Sequence, residues 1–155
     1  PMNAELIARA VVVEALAAAD KPAALDEILA AAAQAKLLTK KSIPALRARL
    51  QEREKLGSTG IGNGVAIPHV KSDELTRMGL VVARSVSGIE YDAIDGRPVH
   101  TVFLLLAPNG QSEEHLQALR WISGLARNQD FRRFFLAARS AAEIRDLLLE
   151  MSPPS

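Results

Sequence analysis

His69 is the residue of this sequence best placed to act as a nucleophile. It follows Pro68, whose ring restricts the backbone, at the end of the apolar run Val65-Ala66-Ile67. Imidazole titrates near neutrality, and its neutral nitrogen attacks electrophiles such as phosphorus. Just upstream, Gly57-Ser58-Thr59-Gly60-Ile61-Gly62-Asn63-Gly64 holds four glycines in eight positions. Such a segment reaches conformations closed to other residues or lets a ligand approach the backbone closely. Its N–H groups could form an anion-binding concavity, which makes Ser58, Thr59, Gly60, Gly62, Asn63 and Gly64 candidate phosphate-binding residues. The alternative is a tight turn between a helix and a strand. Named nucleotide motifs do not fit. With Gly60 and Gly62 in place, Val65 stands where a dinucleotide fingerprint needs glycine, and no Gly-Lys-Ser/Thr follows.

Two further residues could complete a phosphoryl site. Arg53 lies 16 positions before His69, where a predicted helix enters the glycine-rich segment. A guanidinium fork grips phosphate oxygens at two points, although a lone helix-end arginine also complements the helix dipole. His115 falls in the first turn of a predicted helix, after Ser112, Glu113 and Glu114. The positive helix end disfavours an imidazolium there, so His115 is expected to be neutral and able to donate one hydrogen bond. On spacing alone it could equally be a surface histidine. His100, ahead of a strongly apolar strand, reads as structural or surface-facing.

The elements that would carry these residues alternate. Val11–Val13 form a short β-branched strand. Asp20 caps a helix over 21–36, with Leu25, Ile28, Leu29 and Ala32 at helical spacing. Ser42 caps a second helix with Ile43, Leu46 and Leu50 on one face, which ends near Gly57. Residues 65–69 read as a short buried strand, and 79–86 and 101–106 as the two clearest strands, with a turn at Asp95-Gly96. Beyond Pro108 the chain reads as helical. One helix follows Ser112 with Leu116, Leu119, Ile122 and Leu125 inward, and a short one from Asp130 carries Phe131, Phe134 and Phe135. A last helix is opened by a Ser140–Glu143 capping box and buries Ile144, Leu147 and Leu148. The order implies an α/β fold: a single three-layer domain over residues 4–150, a small mixed β-sheet with helices on both faces. Residues 151–155 read as a frayed end, and Pro1 ahead of Met2 as an expression remnant.

Composition sets the outer bounds. The 155 residues carry 19 lysines and arginines against 18 aspartates and glutamates, a formal charge of +1, which argues against a nucleic-acid surface. There is no cysteine, hence no disulfide, thiolate metal site or cysteine nucleophile. No apolar run approaches the ~20 residues that span a bilayer, and no signal pattern opens the chain, so a cytoplasmic location without membrane insertion is expected. No metal-ligand cluster stands out, and no cofactor is expected.

The seventeen residues from Arg53 to His69 closely resemble the signature of the fructose/mannitol-type enzyme IIA family of the bacterial phosphotransferase system. Tyr91-Asp92-Ala93-Ile94-Asp95-Gly96-Arg97-Pro98-Val99, the strand ending in Ala107-Pro108, and Glu114-His115-Leu116 match as well. The resemblance implies that His69 accepts a phosphoryl group from a histidine phosphocarrier protein and passes it to an enzyme IIB cysteine. It makes His115 the second active-site histidine and Arg53 the arginine near the phosphate, so that His69, His115 and Arg53 form the candidate catalytic set. The uninterrupted Ser-Thr-Gly-Ile-Gly-Asn-Gly run is similar to the nitrogen-related regulatory branch, in which phosphorylation controls binding to target proteins. Family members often carry aspartate where His100 stands, and the alanine-rich N-terminal segment matches poorly. Two rivals are a pure interaction domain that has lost transfer, and a hydrolase built on Ser58, His69 and Asp95. The first runs against the joint presence of Arg53, His69 and His115. The second lacks the strand-turn-helix context of a nucleophile elbow.

Overall fold

Alternation along two long strands divides the molecule into layers. In the computed structural model, which describes residues 2–152, β5 (Gly79–Ile89) and β6 (Val99–Ala107) run antiparallel, with Leu80 opposite Leu105 and Val81 opposite Leu104. Successive side chains leave a strand on opposite faces. Val81, Ala83, Val102, Leu104 and Leu106 therefore join one core, and Leu80, Val82, Phe103 and Leu105 the other. The first core is closed by α2 (Lys21–Gln34) and α3 (Ile43–Lys55) through Ile28, Leu29, Leu46 and Leu50. The second is closed by α1 (Met2–Ala8), α4 (Ser112–Arg127), α5 (Gln129–Ala137) and α6 (Ala141–Glu150), with Ile7, Ile122, Phe131 and Ile144 at its centre. This is the mixed sheet with helices on both faces that the order of elements implies.

β1 (Val11–Val13) pairs in parallel with β5 at one edge. On the other side of β6 lie two short parallel strands in series, β3 (Val65–Ala66) and β4 (His69–Lys71). A further strand, β2 (Gly60–Gly62), folds back antiparallel on β3. The sequence expectation of one strand over 65–69 becomes two, because Pro68 lacks the N–H that would continue the ladder. The glycine-rich segment, expected as a loop, is largely this β2–β3 hairpin. Asn63 (φ 59°) and Gly64 (φ 74°) are its two turn residues, the Asn-Gly pair that a tight hairpin of this hand favours.

Other boundaries shift for local reasons. α1 was not anticipated; it buries Leu6 and Ile7, but its few apolar residues show too little periodicity to announce it. Asp20 caps α2 by accepting from Ala23 N–H, and the helix stops at Gln34 before Lys36 turns to φ 64°. Ser42 caps nothing: Thr39 accepts from Ser42 N–H and opens a short 3-10 turn ahead of α3. α5 is capped by Asn128, one residue ahead of the helix and two ahead of Asp130. Leu116, expected inward, is about half exposed, because Ala118 and Ile122 define the buried stripe of α4; on α5 Phe131 and Phe135 are buried and Phe134 is half exposed. Ser140 caps α6 through Glu143 N–H, but the Glu143 carboxylate reaches Arg139 N–H instead of closing the box. Met151 is not frayed: its carbonyl accepts from Trp121 Nε1 (3.1 Å). Residues 153–155 lie outside the described residues.

Gly60 is where the hairpin meets the rest of the fold most tightly. A Cβ there would stand 2.8 Å from Ala93 Cβ and 2.9 Å from Ala93 Cα. Backbone cannot yield as a flexible side chain would, so Gly60→Ala is expected to destabilise by about 1–3 kcal/mol. The check is a lower urea midpoint at an unchanged m-value.

Candidate active site

His69 opens β4 opposite Leu105, whose N–H donates to the Pro68 carbonyl (3.0 Å). The ring folds back so that Nδ1 lies 2.8 Å from the Ile67 carbonyl. A carbonyl only accepts, so Nδ1 holds the proton and Nε2 keeps its lone pair. Burial pushes the His69 pKa down. The Ile67 carbonyl partly opposes this, while the Arg53 and Lys71 charges add to it. The site therefore holds a neutral imidazole with its nucleophilic nitrogen defined.

His115 sits in the first turn of α4, only 6 % exposed, with its ring centroid 5.6 Å from that of His69. Burial, reinforced by His69 and Lys71, brings its pKa down to about 4, as expected for a neutral ring at a helix N-terminus. Its Nε2 is buried without a hydrogen-bond partner. A buried polar atom left unpaired costs about 1–3 kcal/mol, so this one is poised for an incoming group.

Arg53 stands in the last turn of α3 and is held by a bond from Nη1 to the Gly57 carbonyl (2.8 Å). With His69 it lines an open concavity of about 440 Å³, which Arg49, Lys71 and Asn109 also line. Lys71 and Arg49 were not anticipated, although both had a signal. Lys71 is two residues beyond His69 and shares its face of β4; its Nζ donates to Ser112 Oγ (3.2 Å) at the head of α4. Arg49 is one helical turn before Arg53, and its Nε donates to the Lys71 carbonyl (3.1 Å).

Behind the site, Glu54 acts as an anchor. Its side chain, 9 % exposed, pairs with Lys21 (2.8 Å) and accepts from Thr59 N–H and Thr59 Oγ1. Tyr91 Oη lies 3.0 Å from Thr59 Oγ1, and Lys21 sits over the Tyr91 ring. Burial and the Glu54 charge push the Tyr91 phenol up, so it stays protonated. The Thr59 carbonyl accepts from Ile67 N–H (2.9 Å), and the Ile67 carbonyl holds His69 Nδ1. An unbroken path thus runs from the Glu54 carboxylate to the ring that carries the nucleophile. Glu54 is a positioning residue that sequence reasoning missed, because its side chain resembles any polar residue at a helix end.

The structure brings His69, His115 and Arg53 together, and it does not bring the whole glycine-rich segment to them. Thr59 is buried in the anchor, and Ser58 Oγ accepts from Gly60 N–H (3.0 Å). The Asn63 N–H donates to Asp95 (3.2 Å). Three of the N–H groups expected to cradle a phosphate, those of Thr59, Gly60 and Asn63, are therefore already bonded. Gly64 accepts from His100 and Thr101, four residues of β6 away from Leu105 opposite His69, about 13 Å along the strand. Gly62, Asn63 and Gly64 serve the hairpin instead. His100 is half-buried with Nδ1 2.9 Å from the Ser85 carbonyl.

Comparison with known proteins places nearly the whole chain in one family. Residues 5–151 match the family described as "Phosphoenolpyruvate-dependent sugar phosphotransferase system, EIIA 2". The chain is 41% identical over 144 residues to a nitrogen regulatory protein of Bradyrhizobium diazoefficiens, covering 93% of this chain and 92% of that one. It is 38% identical over 102 residues to the fructose-specific EIIA component of Haloferax volcanii, 66% of each. Among solved structures, the nitrogen regulatory protein IIA-Ntr from Neisseria meningitidis superposes with a TM-score of 0.82 at 29% identity, covering 96% of this chain and 99% of that one. The mannitol enzyme IIA of Escherichia coli, solved in complex with phosphorylated enzyme IIB, shares the fold with a TM-score of 0.75 at 18% identity, covering 90% and 94%. No helix among the described residues is long and apolar enough to cross a membrane. The chain belongs to the enzyme IIA family of the phosphoenolpyruvate-dependent sugar phosphotransferase system.

Proposed function

We propose that the unit spanning residues 4–150 is a cytoplasmic phosphoryl carrier that accepts its phosphoryl group on Nε2 of His69 from a histidine phosphocarrier protein. The observation that carries this is the Nδ1 bond to the Ile67 carbonyl, which leaves Nε2 as the free lone pair beside Arg53 and His115. The Nε2 lone pair attacks phosphorus. The donor's N–P bond breaks with its electron pair returning to the donor ring. No proton leaves His69, because Nδ1–H stays on the Ile67 carbonyl. Arg53 and Lys71 supply positive charge to the phosphoryl oxygens, and His115 Nε2, as N–H, gains the acceptor it lacks.

For the use of the phosphoryl group, likeness over nearly the whole chain to a nitrogen regulatory protein favours a regulatory output, with phosphorylation state read by target proteins. The fructose-specific relative supports handover to an enzyme IIB cysteine as the second reading. Incubation with phosphoenolpyruvate, enzyme I and the phosphocarrier is expected to add one acid-labile phosphoryl group, mapped by mass spectrometry to the peptide containing His69. No mass gain with a phosphocarrier competent toward another enzyme IIA would overturn the reading. Discharge on adding enzyme IIB separates the two outputs.

A further inference from the structure

At the other end of β6 stand two arginines that phosphoryl transfer does not use. Asn63, Arg97, His100 and Arg132, with Gly64 and Pro98, line a concavity of about 380 Å³, near the small end of the roughly 300–1,000 Å³ typical of ligand sites. No carboxylate lines it. The charge of Arg97 acts on Asp95, but the Asp95 oxygens are bonded to the backbone N–H groups of Asn63 and Arg97. Neither Arg97 nor Arg132 belongs to an ion pair among the described residues.

Two of these groups are set in place beforehand. Arg132, on α5, donates from Nη1 to the Ala126 carbonyl (2.6 Å), which fixes the guanidinium and leaves its other N–H groups free. His100 donates from Nδ1 to the Ser85 carbonyl, so Nε2 is its open nitrogen. Its ring has room only because position 88 is glycine: a Cβ there would stand 3.2 Å from His100 Cε1 and 3.0 Å from Pro98 Cβ. Gly88 holds φ 97°, so a side chain is opposed by conformation as well. A guanidinium fork on α5, a second on the segment ahead of β6 and the Asn63 amide on a hairpin turn surround one space, with the His100 ring as one of its walls. Donors converging from several directions suit the three oxygens of a tetrahedral dianion better than the two of a planar carboxylate.

We propose that this concavity, lined by Arg97, Arg132, His100 and Asn63, binds the phosphate group of a small phosphomonoester or pyrophosphate-bearing metabolite. The site lies about 13 Å from His69 along β6, so its ligand does not compete with the phosphoryl group for the same cations. Binding here and phosphorylation of His69 can therefore fail independently.

The test is a titration of the full, isotopically labelled chain with pyrophosphate, followed by amide chemical shifts. Saturable shifts are expected at Asn63, Gly64, Arg97, His100 and Arg132. The double variant Arg97→Gln/Arg132→Gln is expected to weaken that binding at least tenfold, and Arg53→Gln to leave it unchanged. If the double variant loses its far-ultraviolet circular dichroism, Arg97→Gln and Arg132→Gln singly are each expected to weaken binding severalfold. Shifts confined to residues around His69, unaltered affinity in the variants, or tighter binding of malonate than of pyrophosphate would each overturn the proposal. The phosphomonoester glycerol 3-phosphate, run in parallel, tells the two ligand forms apart.

Discussion

Glutamine at position 69 is expected to abolish phosphorylation while leaving the fold intact. The glutamine amide can still donate to the Ile67 carbonyl, which accepts Nδ1–H in the native chain, so stability should change little. The nucleophile, in contrast, has no substitute. The chain lacks cysteine, His115 Nε2 is buried, and His100 stands near the far end of β6. Loss of a nucleophile from a positioned site costs about 10⁴-fold or more in rate, which here means no phosphoryl incorporation on any practical timescale. Arg53→Gln and His115→Gln should behave differently. Each removes a donor to the phosphoryl oxygens and keeps the nucleophile, an effect of about 10²–10³-fold. The measurement is the initial rate of mass gain from a phosphorylated phosphocarrier, with thermal unfolding as the control for fold. Incorporation by the glutamine variant at near-native rate would place the acceptor elsewhere. A ranking in which Arg53→Gln is harmless would remove that guanidinium from the reaction.

What could be read in the sequence and what could not follows the range of the forces involved. The strands β5 and β6 announce themselves as continuous apolar runs, the mark of burial on both faces, and the helices α2 and α3 by helical spacing; both are local patterns. His69 and Arg53 were legible because proline, glycine and arginine crowd one short segment. His115 was legible as neutral, since its place at a helix start is a local fact, whereas its burial against His69 is not. The glycines misled for a physical reason. Positive φ is required equally by an anion cradle and by a two-residue hairpin turn, and the choice at Asn63-Gly64 depends on β6 lying alongside to receive β3. Glu54 and Tyr91 were invisible as a pair because 37 residues separate them. Only the folded packing reveals that a carboxylate behind the site holds Thr59, and through it the backbone that orients His69.

Acidification from pH 7 to pH 4 is expected to remove about 3 kcal/mol of stability through His115 alone. Its pKa is about 4 in the folded protein and about 6.5 in an unfolded chain, and each unit of difference is worth about 1.4 kcal/mol. Below pH 6.5 the unfolded state binds a proton that the folded state refuses. Stability therefore rises with pH across this window, is complete above 6.5, and is lost as pH falls toward the folded pKa. His69 acts in the same direction, since its pKa is also lowered. Asp95 acts in the same sense but below this window, because its carboxyl is held under its ordinary value near 3.8. Against a total of about 5–15 kcal/mol for a domain, the His115 contribution is large enough to set the acid limit. Urea unfolding at a series of pH values checks it. His115→Gln should flatten the profile between pH 4 and 6.5, so that the variant gains on the native chain as the solution becomes acidic. Parallel profiles for the two proteins would mean that His115 binds its proton equally well folded and unfolded, so that it is solvated and not a buried neutral ring.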